Sequence, residues 1–77
     1  MERFQKLKII FENEIGRKLE DQELNNTWEE LDLDSLSMIS VLRDVEDEFK
    51  IVLEYNIFKD HKINCINNLD AYLNKII

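Results

Sequence analysis

Apolar residues along this chain gather into three periodic runs separated by polar stretches, and their spacing predicts helices rather than strands. Phe4, Leu7, Phe11 and Ile15, with Ile10 alongside, mark the buried face of a first helix, and Gly16 is a natural stop just past its end. Core packing accounts fully for these residues. From about Arg17 to Asp34 the pattern weakens into a long loop, where Leu19, Leu24, Trp28 and Leu31 are spaced anchors among acids and amides. A connection of this length is uncommon in a compact domain and often has a role. Asp21 is placed to cap a short turn over Gln22 to Leu24, and Trp28 reads as a plug beneath the loop.

A second helix is predicted from Ser35 to about Lys50. Leu36, Ile39, Leu42, Val45 and Phe49 read as its apolar stripe, and Ser37, Ser40, Arg43, Asp44, Asp47 and Glu48 as outward positions. The run Ile51-Val52-Leu53 is too short to call a sheet and has no partner strand, so it reads as a buried connection. Glu54 to Lys59 predicts a brief third helix with Leu53, Ile57 and Phe58 inward, ended by the polar break Asp60-His61-Lys62. The final helix, about Ile66 to Ile76, turns Ile66, Leu69, Tyr72, Leu73 and Ile76 inward, with Asn64 as its N-cap. The expected fold is all-α. It is a small four-helix bundle, with three main helices, a short third and a long loop between helices one and two, in a single domain over residues 1–77.

Length and charge narrow what such a bundle does. A chain of 77 residues buries only about 60% of the surface that its unfolded form exposes. A deep preorganised active site is hard to build on so thin a core, and presenting a group is the easier task. Cys65 is the single cysteine, so no disulfide framework compensates, which fits a reducing cytoplasm. No run approaches the length of a membrane span, and Met1-Glu2-Arg3-Phe4 does not open a signal peptide. Starting at Met1, the chain is expected to be free-standing, cytoplasmic and monomeric. The net charge of −7 is unevenly spread. Residues 19–48 hold eleven acids against Arg43 alone, while residues 1–18 and 49–77 are slightly basic. That field disfavours nucleic acid and anionic membrane, and it steers basic protein surfaces toward the middle of the chain.

At that middle stands Leu31-Asp32-Leu33-Asp34-Ser35-Leu36. Asp34 is a good N-cap, which sets Ser35 at or beside the first helical position. A hydroxyl there points outward, next to unpaired backbone N–H groups and the positive end of the helix dipole, a favourable place to hold a phosphate. From the dipeptide alone, a cap serine without further role is the default.

These residues resemble the acyl carrier protein family, whose attachment motif Asp-Ser-Leu is present as Asp34-Ser35-Leu36. The motif by itself occurs by chance in many chains. Its place near the middle of a chain this size, with acidic flanks and an amphipathic helix after it, makes it specific. The likeness also covers Asn25-Asn26-Thr27 and Ile66-Asn67-Asn68-Leu69-Asp70-Ala71-Tyr72-Leu73. It implies that Ser35 carries 4′-phosphopantetheine, installed from coenzyme A by a phosphopantetheinyl transferase, with Asp34 in support. It further implies an acyl carrier, not an enzyme, bearing thioesters to loading and condensing or transfer enzymes with basic patches, in fatty-acid or specialised polyketide-like biosynthesis. Leu36, Ser37, Ser40, Arg43, Asp44 and Asp47 would form the docking face, and acyl chains could fold back between the helices.

Three departures from the family pattern hint at a specialised pathway. Ser37 and Ser40 stand where acids are usual, Arg43 stands where an apolar residue is common, and Asp32-Leu33 replaces the usual glycine before the motif. An aminoacyl or peptidyl carrier is the near alternative. A small acidic interaction module, with Ser35 only a cap, is the distant one.

Other chemistry finds no purchase. Asp32-x-Asp34 lacks the further oxygen ligand, glycine and glutamate of an EF-hand, having Leu36, Ser37 and Arg43 at those positions. One Cys and one His make no zinc set. His61 reads as a surface loop residue and Cys65 as a small buried one. No Gly-x-Ser-x-Gly elbow surrounds Ser35.

Overall fold

A computed structural model describes residues 2–77 and contains four helices: α1 (Arg3–Ile15), α2 (Ser35–Phe49), α3 (Ile57–Asp60) and α4 (Ile66–Ile76). A 3-10 turn, Asp21–Asn25, interrupts the long first loop, and no strand occurs among the described residues. The all-α, four-helix expectation holds. Helix α1 packs against both α2 and α4, and the 3-10 turn rests on α4. Leu7, Phe11, Val41, Val45, Ile66, Leu69 and Leu73 meet in the middle with no exposed surface.

Glycine ends α1 as anticipated. Gly16 takes a left-handed φ of 89° and donates its N–H to Glu12 O at 2.8 Å. The Glu12 carboxylate then accepts the Leu19 N–H at 2.8 Å, folding the chain back so that Leu19 enters the core. Arg17 grips Glu23 through two hydrogen bonds of 2.7 and 3.0 Å. That pairing holds the Glu23 carboxyl well below its ordinary range, at about 2. The cap of the 3-10 turn is Glu20 rather than Asp21, because Glu23 reaches back to accept the Glu20 N–H at 3.0 Å and Asp21 already lies inside the turn.

With no further glycine, α2 stops on Lys50, whose φ of 55° lies in the left-handed region. The α2 stripe differs from the expected one. Leu36 is 77% exposed and Ile39 43%, while Met38, Val41, Leu42 and Val45 are buried and Phe49 is half-buried. Steps of three residues fall about 60° short of a full turn each time, so Leu36 ends on the face opposite Val45. The observed set steps by three, one, three and four, which stays on one side of the helix.

Smaller differences follow from local geometry. Val52 is 85% exposed between half-buried Ile51 and buried Leu53. A turn at Tyr55-Asn56 delays α3 to Ile57, leaving Ile57 buried and Phe58 half-buried as expected. Helix α4 is capped by Cys65 in extended backbone, because the Asn64 side chain is engaged instead with Asn68 Nδ2 at 2.8 Å. Ile76 is the last helical residue and stays 45% exposed. Arg3 ties α1 to α4 through Asp70 (3.1 Å) and Asn74 (3.2 Å), and Lys6 reaches Glu48 of α2 at 3.7 Å.

Candidate functional site

The approach to Ser35 is built as a braced turn. Thr27 N–H donates to Glu30 Oε1 (2.8 Å), Glu30 N–H donates to Thr27 Oγ1 (3.3 Å), and Leu33 N–H returns to Trp28 O (2.9 Å). Leu31 and Leu33 are buried on either side of exposed Asp32. Asp32 has a φ of 60°. Aspartate is among the few residues that enter the left-handed region at modest cost.

Asp34 follows in extended backbone and caps α2, its carboxylate accepting the Ser37 N–H at 2.8 Å. That amide, and after it the Ser37 hydroxyl, hold the Asp34 carboxyl below the usual aspartate range. It is therefore a carboxylate at neutral pH. Ser35 is the first residue of α2 and is exposed. The hydroxyl thus stands at the open end of a fifteen-residue helix, beside an ionised carboxylate and near amides that have no partner within the helix. A phosphodiester suits this position. The side chain is free to be approached, and the helix start favours negative charge.

Leu36, Ser40, Arg43 and Asp47 follow at helical spacing and are all exposed, with Asp44 exposed alongside them and Ser37 half-buried. The fold therefore sets Leu36, Ser40, Arg43 and Asp47 on one outward face of α2, with Asp44 and half-buried Ser37 to one side of it.

An open cleft of about 530 Å³ adjoins the hydroxyl, lined by Trp28, Glu29, Asp32, Leu33, Asp34, Ser35, Met38 and Tyr55. Periodicity did not bring Tyr55, Met38 or Leu33 to this place; they arrive from three separate segments. Trp28 is a plug as expected and a cleft wall as well. Its indole stacks on Phe11 at 5.3 Å, meets Phe58 edge-on at 5.6 Å, and donates Nε1–H to Ile63 O at 3.3 Å. His61 is exposed and packs near Tyr72 at 4.8 Å, in a separate groove with Lys62 and Lys75. Cys65 is buried. No helix among the described residues is long and apolar enough to cross a membrane.

Comparison with known proteins adds a family to this geometry. A family model described as a phosphopantetheine attachment site matches residues 5–72. The acyl carrier protein of Streptococcus thermophilus (strain CNRZ 1066) is 34% identical over 70 residues, covering 91% of this chain and 89% of that protein. The acyl carrier protein of Streptococcus pyogenes serotype M1 is 33% identical over the same length. That of Lactococcus lactis subsp. cremoris (strain MG1363) is 37% identical over 51 residues, covering 66% of this chain and 70% of that protein. No solved structure matches the chain.

Proposed function

This chain belongs to the acyl carrier protein family, and on that premise we propose that Ser35 is the hydroxyl to which its 4′-phosphopantetheine is joined. As a member it is a carrier, acted on by a phosphopantetheinyl transferase and by acyl-transfer enzymes, rather than a catalyst. One observation supports the assignment above the others: Ser35 is the exposed first residue of α2, directly after its capping aspartate.

The attachment forms a bond from Ser35 Oγ to the coenzyme A phosphorus nearest the pantetheine. The bond to the second phosphate breaks, that phosphate leaves with the nucleotide, and the hydroxyl proton passes to a base of the transferase. This chain contributes position. Asp34 fixes the start of α2 and presents a negative charge beside the hydroxyl for the transferase's basic groups or its metal ion. The unpaired amides at the helix start favour the phosphodiester once it is made. When bound, the group supplies a terminal thiol that holds acyl cargo as a thioester.

Leu36, Ser37, Ser40, Arg43, Asp44 and Asp47 serve as the docking face for loading and condensing or transfer enzymes of fatty-acid or polyketide-like biosynthesis. Exposed Leu36 offers an apolar contact, and the carboxylates steer basic patches toward it. The test is to incubate the protein with coenzyme A and a broad-specificity transferase and to measure its mass. The wild type gains one arm and Ser35→Ala gains none; an unchanged wild type, or a modified Ser35→Ala, overturns the assignment.

A further inference from the structure

We propose that the outward face of α2 fits a partner of mixed sign: basic groups opposite Asp44 and Asp47, a carboxylate opposite Arg43, and an apolar hollow for Leu36 and Ile39. The inference rests on this face being the docking surface and names the kind of partner that it takes. At about 100° per residue, Arg43 and Ile39 lie about 20° and 60° to one side of Leu36, while Asp44 and Glu48 lie about 80° and 120° to the other. The acidic flank borders α1, where Asp44, Asp47 and Glu48 line a groove with Ile10 and Asn13. The opposite flank is cationic and apolar.

Nothing within the chain accounts for Arg43. It is the only base among residues 19–48, against eleven acids. Of the three arginines, Arg3 pairs with Asp70 and Arg17 with Glu23, but Arg43 enters no ion pair among the described residues. Asp47, one turn on, stands in the less favourable order for a helical pair, with the base nearer the N-terminus. The Glu46 carboxylate is taken by the Leu53 N–H at 2.7 Å. Arg43 lies midway along α2, away from the C-terminal turn where a cation would stabilise the helix dipole. Its stem leaves the apolar pair uncovered, since Leu36 is 77% and Ile39 43% exposed. A free guanidinium beside two bare apolar side chains is instead suited to a contact from outside. Against a uniformly basic surface Arg43 meets like charge and opposes docking; against a carboxylate it fixes the one orientation in which both flanks match.

The probe is an acyltransferase of fatty-acid biosynthesis with a basic docking patch, used unmodified and as a set in which each patch lysine or arginine is replaced in turn by glutamate. Its kcat/KM is measured at low salt on the wild-type chain, Arg43→Glu, Arg43→Met and Asp44→Lys, each first brought to complete arm attachment and checked by mass. The unmodified enzyme should favour Arg43→Glu over the wild type by about tenfold, with Arg43→Met between them, and added salt should narrow the gap. One glutamate variant of the enzyme should reverse that order and favour the wild type. A glutamate at a different patch position should restore Asp44→Lys. Equal rates for the wild type and Arg43→Glu, a full set without reversal, or one position that serves both Arg43 and Asp44 would each overturn the proposal. So would a structural role, in which both Arg43 variants melt lower and change every enzyme's rate by the same factor. A chain that takes no arm fails at Ser35 before any partner is compared, which keeps the two failures apart.

Discussion

Helices α2 and α4 both begin after a loop, and their first turns have opposite fates. At α4, Cys65 caps without a side-chain bond, Ile66 and Leu69 have no exposed surface, and Lys62 lies in the groove nearby. At α2, Asp34 caps with its carboxylate, Ser35 is exposed, Leu36 is 77% exposed, and the surroundings are acidic. Both starts carry the same amides and the same end of a helix dipole. What separates them is covering: one is sunk into the core as an anchor, and the other is held clear of it for an enzyme to reach. A helix start becomes usable only when its neighbours leave it open.

The largest expected contrast is in stability. Leu69→Ala should cost about 3 kcal/mol, lowering Tm by roughly 10 °C or more, whereas Leu36→Ala should stay within about 0.5 kcal/mol in the same thermal melt. Equal losses would mean that the start of α2 is packed after all. Charge gives the next contrast. Replacing Asp44 and Asp47 by Lys should slow acyl loading by a basic partner on the order of tenfold at low salt, and added salt should shrink the gap. Equivalent reversal of Lys62 and Lys75 should leave loading unchanged; a matching loss there would show that docking is not confined to the α2 face.

The cap supplies a subtler distinction. Because the Asp34 carboxyl titrates below its ordinary value, its contribution to stability is complete above about 3.8 and is lost as pH falls through the lower folded value. Asp34→Ala should therefore melt lower than the wild type at neutral pH, with the two melts converging in acid. Cys65→Ala, at a cap with no side-chain bond, should show no such convergence. The smallest effect is expected at Asp32. Its left-handed φ suits glycine, so Asp32→Gly should change stability by less than about 1 kcal/mol, while Asp32→Val should cost about 1–2 kcal/mol in denaturant titration.

Much of this molecule was legible in its sequence. Phe4, Leu7, Phe11 and Gly16 specify α1 through spacing and a stop, both local properties. Asp34-Ser35 places the attachment candidate because capping needs only neighbours along the chain. The family follows from the same motif in its setting, and membership sets aside the simple interaction module. Even so, steps of three misled the reading of α2, since a stripe must return to one face and Leu36 to Val45 does not.

Composition and local pattern thus determined the helices, the acidic middle and the place of the serine directly after its cap, because each depends on contacts within a few residues. Tertiary structure alone decided that Leu36 and Ile39 face outward, that Asp32 takes a left-handed φ in a braced turn, and that Trp28 lies between Phe11 and the cleft. Those outcomes depend on which distant segment occupies the space behind each side chain, and spacing along the chain carries no record of it.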